Sequence, residues 1–250
     1  MRVPVGTIEV DVVDQRGAIA AIDALVDQRR GGSVFTPNVD HVVRATKSAP
    51  FREAYARARL SLADGQPVVW TARLSGFPLR ARVTGADLFM PLLAHASARG
   101  WGVYIIGGRV GAKERMLERL ARELPSLRVA IGSPTRVIAG DEARLALEAD
   151  AVRAMRPELV FVCLGSPLQE MWADRVAAEL APSLFFGFGS AMDVAAGMQE
   201  RAPLWMQRSG LEWLFRLGSE PTRLWRRYLD NAQVAPILLR SVIENRRRRR

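Results

Sequence analysis

The sequence has almost no cysteine, no long hydrophobic run and few histidines. Cys163 is the single cysteine among 250 residues, which excludes a fold built on disulfides. No stretch approaches the roughly 18 uninterrupted apolar residues of a membrane-spanning helix. The best candidates, Val160–Leu164 and Pro236–Leu239, are far too short. The first residues also lack the apolar core of a signal peptide, and we therefore expect a soluble, cytoplasmic protein.

Residues that commonly hold metals or dinucleotides are scarce as well. With 2 histidines, 1 cysteine and no Asp-x-Asp pair, neither a zinc site nor a carboxylate pair for a metal on a nucleotide-sugar is indicated. The stretch 187–192 has only two glycines of the dinucleotide fingerprint, which disfavours an oxidoreductase or a methyltransferase, and 107–113 is not a Walker A loop. We expect no cofactor and no metal. Phosphate recognition should then rely on arginine, backbone amides and helix N-termini.

Positive charge is concentrated in residues 201–250. The chain carries a net charge of +10, and this segment alone holds 12 arginines against 4 acidic residues, or +8. A nearly neutral body with a cationic segment indicates a domain that is delivered to an anionic surface, either membrane or nucleic acid. Composition alone does not choose between them.

Short apolar runs alternate with segments of helical periodicity through the first 190 residues. Strands alternating with helices of about 10–15 residues indicate βαβ units. We predict an α/β, Rossmann-like catalytic domain over residues 1–200, with a mostly parallel sheet and helices on both faces. Ligands of such sheets bind outside the carboxyl ends of the strands. The predicted strands are Ser33–Thr36, Leu60–Leu62, Gly102–Ile106, Leu127–Ile131, Leu159–Leu164 and Leu184–Gly187, and the clearest helices are Ala86–Arg99, Lys113–Leu124 and Glu142–Met155.

Residues 201–250 predict an Arg-rich helical appendage. Pro203 and Pro221 favour helices over about 203–218 and 222–245, with Pro236 kinking or restarting the second. Aromatic and leucine side chains share one side of the second helix with arginines beside them, which is typical of a segment lying on a membrane. The alternatives are a helix that docks on the body through these aromatics and a contact between subunits of a homo-oligomer. The five arginines 246–250 are expected to be disordered.

Several polar side chains follow predicted strands directly. Thr36 and Asn38 come after the first strand, where Thr36 could cap the next helix. Asp64 ends the second strand, where partial burial would suit a general base, the alternative being a helix cap or an Asx turn.

Two further residues lie near helix starts. Arg82 precedes a helix N-terminus as a candidate diphosphate ligand, or as a solvated loop charge. Gln169 falls in the first turn after the most strand-like run and could bind a sugar hydroxyl or a nucleobase, or face solvent. Asp193 could shape the pocket, although a helix-capping role is favoured.

A series of short motifs lies along the sequence. They are Thr36-x-Asn38, Asp64-Gly65, Arg82-Val83-x-Gly85-x-Asp87-Leu88, Gly107-Gly108, Gly165-x-Pro167-x-Gln169-Glu170, Gly187-x-Gly189, Asp193-x-x-x-Gly197, Arg201-Ala202-Pro203, Gly210-Leu211-Glu212-Trp213-Leu214-Phe215-Arg216-Leu217 and Glu220-Pro221-x-Arg223-Leu224-x-x-Arg227-Tyr228. In this order they resemble the WecG/TagA/CpsF family of bacterial glycosyltransferases over about residues 8–230.

The resemblance implies an inverting, metal-independent transfer of a sugar from a UDP-sugar to a sugar on polyprenyl (undecaprenyl) diphosphate, in cell-surface polysaccharide biosynthesis. It implies that Asp64 is the general base on the acceptor hydroxyl. The protein would lie at the inner face of the plasma membrane as a peripheral protein, with its basic appendage on anionic lipid and closed over the pocket. The substrate-binding residues that the resemblance implies are Thr36, Asn38, Arg82, Gly107, Gln169, Arg216, Arg223 and Arg227.

A second hypothesis is a nucleic-acid-binding module that uses the Arg-rich helices. Trp205, Trp213, Trp225 and Tyr228 could stack on bases. Against this, the aromatics fall at helical spacing among leucine and methionine, which favours a core or an interface. We therefore expect no nucleic acid among the partners.

Overall fold

Six parallel strands form the central sheet. The computed structural model describes residues 1–138, 140–231 and 233–248, with the side chains of Val137, Arg223, Arg227 and Tyr228 outside the description. The strand order is β4-β3-β8-β7-β5-β6, and a separate antiparallel hairpin pairs β1 with β2. The predicted parallel sheet is thus confirmed, and the hairpin is an addition to it. The strands are β1 Arg2–Val5, β2 Ile8–Asp11, β3 Gly32–Phe35, β4 Leu60–Ser61, β5 Gly102–Gly107, β6 Arg128–Ile131, β7 Leu159–Cys163 and β8 Leu184–Gly187.

Helices cover both faces of the sheet, because its strands are apolar on both sides. Along β7, Val160 and Val162 belong to one core, and Leu159, Phe161 and Cys163 belong to the other. The first core includes residues of α2, α3, α4 and α9, and the second includes residues of α1, α5, α6 and α10. The helices are α1 Gln15–Asp27, α2 Val39–Lys47, α3 Ala49–Arg57, α4 Gln66–Leu74, α5 Gly85–Arg99, α6 Ala112–Glu123, α7 Thr135–Ile138, α8 Glu142–Met155, α9 Leu168–Ala177, α10 Ala191–Ala195, α11 Leu204–Arg208, α12 Glu212–Ser219, α13 Pro221–Asn231 and α14 Val234–Arg248.

The predicted helix 203–218 is in fact two helices, α11 and α12. Gly210 lies between them at a φ of +75°, a left-handed conformation that interrupts helical geometry. The predicted restart near Pro236 is confirmed, since α14 begins two residues before it. None of the helices within the described ranges is long and apolar enough to span a membrane.

The last helix, α14, docks on the N-terminal hairpin. The Ser241 hydroxyl accepts a hydrogen bond from the Gly6 backbone N–H at 3.1 Å. The Asn245 amide donates to the Pro4 carbonyl at 2.8 Å and to the Ser75 hydroxyl at 3.1 Å. The expectation of disorder is wrong for 246–248, which are helical, and Arg246 donates to the Leu74 carbonyl at 2.6 Å. Arg249 and Arg250 lie outside the described residues.

Candidate active site

A cleft of about 860 Å³ opens at the carboxyl ends of the parallel strands. Loops that follow β3, β4, β5, β7 and β8 form its floor, and the N-terminus of α5 forms part of its wall. Residues from α11, α12 and α13 also line it. The cleft is therefore made jointly by the sheet and by the segment 201–231.

Asp64 points its carboxylate into this cleft from the end of β4. Its backbone N–H donates to the Pro37 carbonyl at 2.9 Å, which ties it to the loop after β3. The alternative helix-cap role is wrong, because Gly65 is the N-cap of α4 and no side chain caps that helix. The Asp64 carboxylate accepts no hydrogen bond from the described side chains or backbone. It is thus free to act on a ligand in the cleft.

The surroundings of Asp64 make it a stronger base than an ordinary aspartate. Burial and, to a smaller extent, the charge of Glu212 raise its pKa from 3.8 to about 7, against the opposing positive charges of Arg82 and Arg216. A carboxylate with a pKa near neutrality combines partial ionisation with appreciable proton affinity.

Arg82 joins the body of the protein to the segment 201–231. Its guanidinium contacts Glu212 at 2.6 Å and the Gln207 amide oxygen at 2.5 Å. The solvated-loop alternative is wrong, since the side chain is largely buried in the cleft wall.

A second contact between the body and the segment 201–231 lies beside Arg82, at the start of α5. Thr84 caps this helix by accepting from the Asp87 N–H at 3.0 Å. Arg201 pairs with the Asp87 carboxylate and donates to Gln207 at 3.0 Å. Arg201, which the sequence marks only as part of a family motif, and Gln207, which it does not mark, therefore hold the segment against the helix N-terminus.

The loop after β3 contains Thr36 and Asn38. Thr36 does not cap α2; its hydroxyl lies 3.4 Å from the Gly187 carbonyl. Asn38 is the N-cap, and its amide oxygen accepts from the Asp40 N–H at 3.0 Å. Both residues line the cleft.

Gln169 is buried at the cleft floor, so the solvent-facing alternative is wrong. Its amide oxygen accepts two backbone hydrogen bonds, from Gly165 at 3.2 Å and from Gly189 at 2.9 Å. Its amide nitrogen donates to Glu170 at 2.7 Å. The side chain thus joins the loops that follow β7 and β8.

Gly107 lies at the end of β5, opposite Cys163 at the end of β7. At its φ of +101°, an added Cβ would lie 2.3 Å from the Cys163 carbonyl oxygen, so no larger residue fits. Gly108 and Arg109 line the cleft, and Gly107 does not contribute to the lining. Gly107, a predicted substrate-binding residue, is therefore absent from the described lining of the cleft, whereas its two neighbours are part of it.

Arginines of the segment 201–231 reach the cleft from its other side. Arg216 lines the cleft and donates to the Ser190 hydroxyl at 2.8 Å. The side chains of Arg223 and Arg227, which the sequence analysis placed at the substrate, lie outside the described residues. Arg216 is thus the predicted arginine of this segment that the structure brings to the site.

Asp193 shapes the cleft and does not cap a helix. Ser190 is the N-cap of α10, and Asp193 accepts from the Arg109 backbone N–H at 2.7 Å. The Arg109 side chain continues to Glu220 at 2.5 Å, which makes a further link between the body and the segment 201–231.

Comparison with known proteins agrees with this geometry. The family model described as "Glycosyl transferase WecG/TagA/CpsF family" matches residues 3–248. The chain belongs to this family. The resemblance on the motifs is thus confirmed, and the protein is a glycosyltransferase.

Two relatives give a more specific comparison. An N-acetylglucosaminyldiphosphoundecaprenol N-acetyl-beta-D-mannosaminyltransferase of Bacillus spizizenii is 32% identical over 205 residues, which cover 82% of this chain and 77% of the relative. The protein of the same name in Bacillus subtilis is 29% identical over 215 residues, which cover 86% and 82%.

Several site residues were not assigned a role from the sequence. Glu212, Arg201 and Gln207 make contacts between the body and the segment 201–231, His41 lines the cleft, and Glu170 lies behind Gln169. Glu170, Arg201 and Glu212 stand inside the quoted family motifs, which was the only signal for them. Within the described ranges, no group of three or more His, Cys, Asp and Glu side chains is arranged to hold a metal.

Proposed function

We propose that this glycosyltransferase moves a sugar from a UDP-sugar to a sugar carried on polyprenyl (undecaprenyl) diphosphate, with inversion and without a metal. The observation that carries the proposal is Asp64, whose carboxylate faces the cleft without a hydrogen-bond partner among the described residues. Its raised pKa of about 7 suits a general base.

In the proposed reaction, Asp64 accepts the proton of the acceptor hydroxyl. The hydroxyl oxygen forms its bond to the anomeric carbon of the donor sugar from the face opposite the nucleotide. The bond between that carbon and the diphosphate oxygen breaks at the same time, and UDP leaves with the electron pair. One displacement inverts the anomeric configuration, and the proton remains on Asp64 until it passes to solvent.

The arginine side chains at the cleft are suited to stabilise the negative charge of the leaving diphosphate. Arg216 reaches the cleft with a hydroxyl as its hydrogen-bond partner, so its charge is available to a phosphate. Arg82 is paired with Glu212 in the structure, and we propose that it exchanges this carboxylate for the diphosphate when the donor binds. We assign the same task to Arg223 and Arg227, on the family motif alone. Fixed cations aimed at developing charge replace a metal in this scheme.

The substrates to test follow from the names of the two relatives. N-acetylglucosaminyl-diphosphoundecaprenol is the first acceptor, and UDP-N-acetylmannosamine is the first donor. UDP release and formation of the disaccharide lipid would be measured with purified protein and a panel of UDP-sugars, with and without a chelator. Transfer that survives chelation supports the proposal, whereas no transfer across the panel by folded protein contradicts it.

The rate of transfer should rise with pH through about 7, because Asp64 must be ionised to accept a proton. Glu212→Gln should move this acid limb to lower pH, since it removes a charge that raises the pKa of Asp64 and frees Arg82, which lowers it. The measurement is kcat/KM against pH for both proteins, from about pH 5 to about pH 9. Glu244→Gln, an exposed glutamate of α14, is the matched control and should leave the limb in place. An acid limb that moves upward in Glu212→Gln would contradict the assignment.

We also propose that residues 201–250 are the appendage that holds the enzyme on the inner face of the plasma membrane. Leu224 is buried and lines the cleft, whereas Trp225 and Leu229 on the same helix are exposed. The buried side chain fits the docking alternative, and the two exposed ones support the interfacial role. Further exposed apolar side chains in this segment are Leu204, Trp205, Trp213, Leu214, Leu239 and Ile243. Exposed tryptophan and leucine beside arginine suit an anionic lipid surface.

Replacing Leu204 and Trp205 together by serine should weaken binding to anionic vesicles by about tenfold or more, because each side chain contributes on the order of 1.5–3 kcal/mol when buried. Co-sedimentation with vesicles at fixed salt measures the change. Leu147→Ser, at a similarly exposed leucine of α8, is the control and should bind as the wild type does. If the double variant binds vesicles as tightly as the wild type does, or if its oligomeric state changes while its vesicle binding does not, these side chains form a contact between subunits instead.

A further inference from the structure

A buried glutamate lies behind the cleft floor, outside the reaction described above. Glu170 is 1% exposed, and one carboxylate oxygen, Oε1, accepts from the Gln169 amide at 2.7 Å. The same oxygen lies 3.3 Å from Nε2 of His41, which is also buried. Burying a carboxylate is costly unless it is paired. A role in α9 alone does not explain it, because both contacts are to side chains and neither is to the helix backbone.

The contacts of Glu170 run in two directions. On one side, Gln169 holds the backbone N–H groups of Gly165 and Gly189, at the ends of β7 and β8. Because the Gln169 amide oxygen accepts both of these bonds, its NH₂ group is left to face Glu170. The carboxylate thus fixes which way the Gln169 amide points.

On the other side, His41 connects Glu170 to the loop after β3. Nδ1 of His41 accepts from the Asn38 backbone N–H at 3.1 Å. The same Nδ1 lies 2.9 Å from the Asn38 side-chain oxygen, and Nε2 on the other side of the ring faces Glu170. The carbonyl of Pro37, next to Asn38, accepts the Asp64 N–H at 2.9 Å. An unbroken series of contacts therefore leads from Glu170 to the backbone of the proposed base.

We propose that Glu170 is a positioning residue for glycosyl transfer. Through Gln169 and His41 it fixes the loops that end β3, β7 and β8, and through the Asn38 loop it holds Asp64 at its distance from the acceptor hydroxyl. This inference rests on the proposed function for its kinetic part. Its structural part, the fixing of three loops by one carboxylate, stands on the contacts alone.

The kinetic test compares Glu170→Gln and Glu170→Ala with the wild type. Glu170→Ala should lower kcat about 10- to 100-fold, while the Kd of UDP changes by less than about threefold, because a misplaced base slows chemistry without removing the arginines. Glu170→Gln keeps the volume and one acceptor oxygen, so it should retain more of the rate. Glu148→Gln, at another buried glutamate that accepts from Tyr104, is the control for stability and should keep kcat.

A double-mutant cycle separates positioning from general destabilisation. If Glu170 acts through Asp64, Glu170→Ala added to Asp64→Asn should slow transfer little beyond Asp64→Asn alone. Rate losses that multiply in full, or a Glu170→Ala enzyme with normal kcat, would overturn the proposal.

Hydrogen exchange gives a readout that needs no substrate. The backbone amides of Asn38, Gly165 and Gly189 should lose protection in Glu170→Ala and keep it in Glu148→Gln. If the wild type transfers no sugar, the proposed function fails, and exchange still decides the positioning role. Unchanged protection at all three amides would overturn that role.

Discussion

Replacing Asp64 by asparagine is expected to slow glycosyl transfer by a factor of about 10²–10⁴, the usual contribution of a general base. Asparagine keeps the shape of the side chain but cannot accept the proton of the acceptor hydroxyl. UDP binding should persist, because the arginines remain in place. The measurement is single-turnover transfer with saturating donor, together with calorimetric binding of UDP.

The asparagine variant should also be at least as stable as the wild type near and above pH 7. The pKa of Asp64 is raised from 3.8 to about 7, so the folded state holds the proton more tightly than the unfolded state. As pH rises between these values, the wild type loses stability that the neutral asparagine does not lose. Thermal unfolding at about pH 6 and about pH 8, roughly one unit on each side of the raised pKa, checks this sign.

Asp141→Asn provides the matched control for this experiment. Asp141 caps α8, and asparagine caps helices about as well as aspartate does. This control should transfer sugar at the wild-type rate. Near-normal transfer by Asp64→Asn would remove Asp64 from the mechanism.

Replacing Arg216 by alanine is expected to lower kcat by about 10²–10³, comparable to the loss of one preorganised donor in other active sites. Arg216 is supplied by α12 and lines the cleft beside Ser190. If its charge acts on the departing diphosphate, the loss should appear mainly in kcat, and Arg216→Lys should restore part of it, because it keeps the charge without the planar guanidinium.

Arg226→Ala is the control for Arg216. Its guanidinium lies over the exposed Trp225 ring, 5.2 Å from the ring centroid, and it does not line the cleft. Its kcat with a soluble acceptor analogue should match the wild type. An Arg216→Ala enzyme within about threefold of wild-type kcat would contradict the catalytic role of the appendage arginines.

Local patterns were sufficient to predict the sheet and the general position of the site. Each of the six parallel strands is a short apolar run that the sequence already marks, and their carboxyl ends bring Thr36, Asp64 and Gln169 to one cleft. The hairpin was missed, although its side chains alternate between buried and partly exposed, because Pro4 weakens a strand pattern and the partner run is only four residues long.

The hydrogen-bond and ion-pair partners of the site residues could not be predicted from local sequence patterns. Arg82 meets Glu212 across 130 positions of sequence, and Gln169 meets Gly189 across 20. Such pairs depend on how separate elements pack, which periodicity does not encode. The helix at Arg246 also depends on packing between distant elements. The basic run has no hydrophobic period that would predict a helix, and the Arg246 side chain is held by its hydrogen bond to the Leu74 carbonyl.

The docking of α14 on the hairpin has a consequence for the order in which the protein is made. Gly6 and Ser241, which join the two elements, are separated by 235 positions. A ribosome therefore releases the hairpin long before the helix that covers it, and the contact forms only after Ser241 has been added to the chain. The hairpin thus spends the synthesis of more than 200 residues without its covering helix, and its backbone groups at Pro4 and Gly6 have water as their partner until α14 arrives.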